Sequence, residues 1–277
     1  MIARDETAPR RILVALDASR TSLEALRAAA ALAARLGAEL TGLFVEDENL
    51  LRLAGLPVAR QLSVHGGAGR PVADIEGELR ALAARAREAV AAAAAPHRIS
   101  WSFRVARGQV AVEVVSAAGD ADLLVVGWAG HRVAGRRGPG ETARAAAARS
   151  PISVLILTRD VHVGRALLVA WDGSPGAARA LDLAARLEAA GLGTVTLLLV
   201  AADRAASARL LQEARARLGH PEPPPSRHVG PRPADLLRAT AGPGALLVVG
   251  AGSAFLGGPV GLEALLDEIS CAVLLAR

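Results

Sequence analysis

Arg11-Ile12-Leu13-Val14-Ala15-Leu16-Asp17-Ala18-Ser19 returns far downstream as Ala166-Leu167-Leu168-Val169-Ala170-Trp171-Asp172-Gly173-Ser174. Each copy is a short apolar run ending in Asp, a small residue and Ser, and each leads into a stretch with helical spacing. Two more pairs keep the same order. Segment 122–130, Asp-Leu-Leu-Val-Val-Gly-Trp-Ala-Gly, is echoed by 245–253, Ala-Leu-Leu-Val-Val-Gly-Ala-Gly-Ser. Segment 150–157, Ser-Pro-Ile-Ser-Val-Leu-Ile-Leu, is echoed by 270–276, Ser-Cys-Ala-Val-Leu-Leu-Ala. Three matched segments in one order signify an internal duplication. The repeat is far longer than a solenoid unit, so each copy is expected to form a domain with its own core. The boundaries read as 9–158 and 163–277.

Within the first copy, strands are expected at 11–17, 40–45, 101–105, 123–126 and 152–157. Helices are expected at 20–37, 72–95, 108–118 and 141–149, with an irregular region at 46–71 and a Gly-rich loop at 127–140. The second copy repeats this with strands at 166–171, 194–200, 227–229, 245–249 and 272–276, and helices at 175–190, 204–218, 233–241 and 260–269. Such alternation predicts an α/β fold with parallel sheets covered by helices on both faces. Right-handed crossovers then give two doubly wound, Rossmann-like five-stranded sheets of order 3-2-1-4-5. The first and fourth strands are neighbours at the switch point, so Asp17 and Gly127 should meet at one crevice. Both last strands are strongly apolar, and an unpaired apolar edge invites aggregation. Pairing them antiparallel about a pseudo-two-fold axis covers both edges at once, an intramolecular pseudo-dimer that the short link 158–164 must allow.

Composition narrows the function. With 277 residues and 52% apolar side chains, two cores are affordable, and no apolar run is long enough to span a membrane. The start, Met-Ile-Ala-Arg-Asp-Glu, has no apolar signal core, and the single cysteine, Cys271, excludes an intrachain disulfide. A cytoplasmic protein is the expectation. Every basic side chain is Arg; without Lys, a lysine Schiff base and a P-loop lysine are both impossible. The net charge is only +5, Tyr is absent and aromatics are 2%, which argues against nucleic-acid binding. The six histidines are scattered without metal-ligand spacing. There is no Gly-x-Ser-x-Gly elbow, and no Gly-x-Gly-x-x-Gly turn after the first strand. No nucleophile–base pair is legible, so no enzymatic activity is expected.

The loop after the fourth strand carries Gly127, Gly130 and, after nine intervening residues, Gly140. Glycines let backbone N–H groups approach an anion, and Gly140 precedes a helix whose N-terminus favours negative charge. A Gly-rich loop is more often only a loop. The strand-Asp-x-Ser opening, the Val-Val-Gly-x-x-Gly stretch and the closing Ser-Pro-x-x-Val-Leu strand together resemble the universal stress protein family, over nearly all of both halves. The resemblance implies a tandem member. It also implies ATP binding in those members that carry Gly, two residues, Gly, nine residues, Gly, then Ser or Thr; others lack the pattern and bind none. Gly127, Gly130 and Gly140 match the three glycines. Asp17 matches the family's Asp beside the nucleotide, and Val45 falls where the family contacts adenine. Glu141 departs from the pattern by standing where Ser or Thr belongs; Thr142 follows and supplies a hydroxyl if the turn shifts by one residue. A carboxylate there repels phosphate, although Glu also suits the first turn of a helix with no ligand. Arg132, Arg136 and Arg137 either compensate by pairing with phosphate or remain solvated loop charges.

In the second copy Ser253 replaces the second glycine, the interval to Gly261 is shortened, and Leu262 brings no hydroxyl. This copy reads as degenerate, with Ser174 a helix cap. Two functions remain. One is a regulatory protein holding ATP or a related adenine nucleotide in the first domain only. The other is a stress protein that binds no nucleotide and acts through protein contacts.

Overall fold

The computed structural model describes residues 9–55, 72–128, 139–158, 166–219, 224–240 and 244–277. In the first half β1 (Arg11–Leu16), β2 (Glu39–Asp47), β3 (Trp101–Gly108), β4 (Leu123–Gly127) and β5 (Ser153–Leu157) alternate with helices. These are α1 (Arg20–Leu36), α2 (Glu48–Gly55), α3 (Val72–Ala94), α4 (Val110–Ala118) and α5 (Glu141–Arg149). The second half has β6 (Ala166–Trp171), β7 (Thr194–Val200), β8 (Ser226–Val229), β9 (Ala245–Gly250) and β10 (Ala272–Ala276). Its helices are α6 (Pro175–Ala189), α7 (Arg204–Leu218), α8 (Pro233–Ala239) and α9 (Pro259–Glu268).

The strand order is β3-β2-β1-β4-β5-β10-β9-β6-β7-β8. Each half therefore has the doubly wound order 3-2-1-4-5, parallel within itself. The two expected five-stranded sheets are joined into one ten-stranded sheet that runs through both halves. The reason is the seam, where β5 and β10 pair antiparallel with Val273 opposite Ile156, Leu274 opposite Leu155 and Leu275 opposite Val154. Each apolar edge thus completes the other's hydrogen bonding.

Both cores continue across this seam. On one face Ile12, Val14, Leu26 and Leu155 pack in the same cluster as Leu181 and Leu274. On the other, Leu13, Leu124 and Ile156 pack with Val273, Leu275 and Leu265. Neighbours in sequence go to opposite faces, as the period of two in a strand requires. Helices cross-link the halves as well: the Arg35 guanidinium donates to the Gly191 carbonyl, and Arg144 on α5 pairs with Asp267 on α9. Most of the expected link 158–164 lies outside the described residues.

The largest differences from the sequence reading lie at β2, β3 and the stretch that follows β2. β2 and β3 both run longer than expected, because Glu46 and Asp47 are level with Arg107 and Gly108 and the ladder continues between them. Helix α2 occupies part of the stretch read as irregular. Its start is fixed locally, since Asp47 Oδ1 accepts the Asn49 N–H (2.9 Å). Glu48 and Arg52 pair one turn apart. A helix this short carries too few apolar repeats to show a period.

Cys271 lies at the start of β10 with 1% exposure, and burial pushes its thiol up from the ordinary cysteine range. It is expected to resist iodoacetamide in the native protein and to react fully after denaturation, as read by intact mass. Alkylation at the native rate of an exposed thiol would place it outside the core. Among the described residues no helix is long and apolar enough to cross a membrane, and no cluster of metal-ligating side chains is present.

Candidate functional site

The register of the sheet brings the expected residues to one edge. Leu16 is level with Phe44 in β2, and Val14 with Val125 in β4. Continuing these ladders sets Asp17 level with Val45 and Leu16 level with Gly127, so Asp17 and Gly127 stand at the carboxyl ends of β1 and β4 with Val45 near the end of β2. This is the switch point of the first half, the ordinary ligand position in such sheets.

The turn after β1 is built from its own hydroxyls and carboxylate. Asp17 Oδ1 accepts the Ser19 N–H (2.9 Å), an Asx turn that holds Ala18 at φ 59°. Ser19 then caps α1: its Oγ accepts the Ser22 N–H (3.2 Å). Ser22 Oγ donates in turn to the Ser19 carbonyl (3.0 Å). Gly127 has a packing role that the sequence reading did not assign. A Cβ there would lie 3.1 Å from the carbonyl carbon and oxygen of Thr21. Its glycine allows the first turn of α1 to rest on the end of β4, whether or not an anion is bound.

Gly140 is the N-cap of α5, in extended conformation, with no side-chain oxygen to satisfy the first N–H groups of the helix. Its own N–H donates to the Trp128 carbonyl (2.7 Å), and the Trp128 N–H donates to the Leu157 carbonyl (2.8 Å). Trp128 and Gly140 are therefore held together beside the end of β4. Glu141 is exposed at the first position of α5, and Thr142 is half-buried at the second. Gly130, Arg132, Arg136 and Arg137 lie outside the described residues. Val45 is buried at 8% exposure within the core, two residues before the end of β2 rather than at its tip. Beyond it the structure adds an ion pair that the sequence did not signal: the buried Glu46 accepts from Arg107 Nε (2.9 Å). The two residues are 61 positions apart, and only the β2–β3 register joins them.

The second half closes the equivalent place with its own chain. Asp172 Oδ1 accepts both the Ser174 N–H (3.0 Å) and the Ser174 hydroxyl (2.6 Å). Asp172 Oδ2 accepts the Phe255 N–H (3.2 Å), tying the loop after β9 to the end of β6. Ser174 caps α6, as expected, by accepting the Ala177 N–H (3.2 Å). A Cβ on Gly250 would lie 2.1 Å from the Gly176 carbonyl, and one on Gly176 only 2.6 Å from Gly252. Backbone fills the space. Trp171 is packed away, its indole N–H bonded to the Leu210 carbonyl (2.9 Å).

Comparison with known proteins agrees with this architecture. The model of the universal stress protein family matches residues 9–158, more than half of the chain. The chain belongs to the universal stress protein family. A universal stress protein from Archaeoglobus fulgidus shares the fold over 96% of both chains, with a TM-score of 0.66 and 18% identity. A putative universal stress protein from Pseudomonas aeruginosa covers 98% of this chain and 94% of its own, with a TM-score of 0.56 and 17% identity. A universal stress protein solved in complex with cAMP matches 55% of this chain and 98% of its own, at 25% identity and a TM-score of 0.37. No curated protein matches in sequence.

Proposed function

We propose that the first half holds ATP or a related adenine nucleotide, and that the chain acts as a regulatory stress protein in the cytoplasm rather than as an enzyme. The observation that carries this reading is the start of α5 at Gly140, which among the described residues has no side-chain cap and lies at the edge where β1 and β4 end in Asp17 and Gly127, near Val45 of β2. An uncapped helix start offers backbone N–H groups to phosphate, and glycine leaves room for it. Thr142 stands next to that start, and Asp17 lies at the same edge. The second half, whose Asp172 and loop satisfy each other, is structural.

Catalysis has little support in the one hydroxyl–imidazole contact among the described residues. Ser207 Oγ meets His228 Nδ1 at 2.6 Å, but Ser207 is buried and also bonds the Asp203 carbonyl (3.2 Å).

The reading is tested by titrating ATP into the protein in a calorimeter. Gly130→Val is expected to abolish binding by placing a side chain where phosphate meets the backbone; unchanged affinity removes the site. Glu141→Ser removes a negative charge and supplies a hydroxyl, and is expected to tighten binding by about 1–2 kcal/mol, roughly 5- to 30-fold. If Glu141→Ser binds no better at low salt, the carboxylate does not face phosphate. The second reading, action through protein contacts without a nucleotide, has Glu141 in its favour and gains if wild type takes up no heat.

A further inference from the structure

The outer edges of the ten-stranded sheet are counterparts in the duplication, yet they are finished differently. β8 is four residues long, with Ser226, Arg227 and His228 exposed and Pro224-Pro225 before it. Short length, charge and proline are the usual protections of an edge. β3 is eight residues long, and Trp101 and Val105 stand 36% and 51% exposed on one of its faces with Phe103 between them. With Ala83, Ala84 and Arg87 of α3 they line an open groove of about 430 Å³. Among the described residues no strand pairs with the outer side of β3.

The backbone fixes what that side offers. The Leu40 N–H donates to the Ser100 carbonyl (3.0 Å), and Leu40 is level with Trp101. In a parallel ladder the even-numbered residues of β3 therefore bond β2. The N–H and C=O groups of Trp101, Phe103, Val105 and Arg107 point outward.

We propose that a second copy of this chain occupies this edge, its β3 antiparallel to the first about a two-fold axis at Phe103. Outward-facing groups must meet outward-facing groups, so odd-numbered residues align with odd. Centred on Phe103, the register sets Trp101 opposite the partner's Val105, and Val105 opposite the partner's Trp101. Phe103 faces its own copy, and Arg104 falls opposite the partner's Ser102. These are aromatic–β-branched and aromatic–aromatic pairs, the favourable cross-strand kinds. Moving the axis to Arg104 would set two guanidinium groups face to face, which is repulsive. In the proposed register Arg104 keeps its own Asp120 (2.9 Å). The contact is isologous and closed, so it stops at two copies.

The test is the mass of the full chain in solution by light scattering at micromolar concentrations, with twice 28.3 kDa expected. Val105→Pro removes an outward donor and leaves the β2 ladder intact; it is expected to give a single-chain mass with an unchanged far-ultraviolet spectrum. Phe103→Cys brings two thiols to the axis, within disulfide reach for directly opposed residues, and Cys271 is buried. Mild oxidation is expected to link Phe103→Cys chains covalently and to leave Ser102→Cys chains unlinked. A wild-type mass of one chain overturns the proposal, whatever other segment or protein then covers β3. So does a dimer that persists in a folded Val105→Pro chain, or one that links as well through Ser102→Cys as through Phe103→Cys.

Discussion

Val273→Pro is expected to open the seam between the halves and leave a chain that aggregates on mild heating. Val273 is fully buried, in register with Ile156 on one side and Leu247 on the other. A proline in this position removes a backbone donor from a ladder buried on both faces and brings a rigid ring against the neighbouring strand. The carbonyl left without its donor costs about 1–3 kcal/mol, and the lost packing of the valine side chain about 1.5–3 kcal/mol more. That is a large share of a domain's stability. The apolar edge of β5, covered by β10 in the native protein, then becomes a template for other chains. Val273→Ala separates the two contributions, since it shortens the side chain but keeps the ladder. Its denaturant midpoint should fall well short of the loss in Val273→Pro. A Val273→Pro chain that unfolds at the wild-type midpoint would mean that the seam does not hold the halves together.

The second large effect is expected at the glycine that ends β9. A Cβ on Gly250 would sit 2.1 Å from the carbonyl carbon and oxygen of Gly176, both backbone atoms in the first turn of α6. No flexible side chain can move aside, so Gly250→Ala must displace the helix from the sheet. The cost should exceed the ordinary 1–3 kcal/mol of an overpacked core. Its counterpart, Gly127→Ala, meets Thr21 backbone at 3.1 Å and needs only a small shift of α1. Urea unfolding of the two variants should therefore rank them clearly, with Gly250→Ala the worse. Equal midpoints would show that the halves do not differ in how tightly helix and strand ends are packed.

The fold was largely legible because the duplication repeats its strongest signals. The runs Ile12–Leu16 and Leu167–Trp171 are continuous and apolar because their strands are central and buried on both faces. For the last strands, two apolar edges on one chain together with the family's common pairing through its last strands led to the antiparallel arrangement. Less legible were α2, whose eight residues are too few for a period, and the longer reach of β2 and β3. The polar Glu46-Asp47 and Arg104–Arg107 stretches look like loop until the register sets Glu46 beside Arg107.

The site was legible in position but less so in role. Topology alone led to the expectation that Asp17 and Gly127 meet, and β1 and β4 do end beside each other; Val45 was singled out by the family resemblance, and it follows Phe44, which is level with Leu16. Gly127 has a further role that the sequence did not signal, because Thr21 lies on a helix that packs across it. Ser174 was read correctly as a cap because capping is local. That Phe255 closes the second crevice was hidden, since its backbone N–H meets Asp172 from 83 positions away and no side-chain pattern marks a main-chain donor.

The central claim is that one half of a duplicated fold keeps a nucleotide crevice while the other has filled its own. Calorimetric titration of ATP into the full chain tests it most directly through stoichiometry. The account predicts one nucleotide per chain, lost in Gly130→Val and retained in Asp172→Ala. Two nucleotides per chain, none, or a single site lost in Asp172→Ala and kept in Gly130→Val would contradict it.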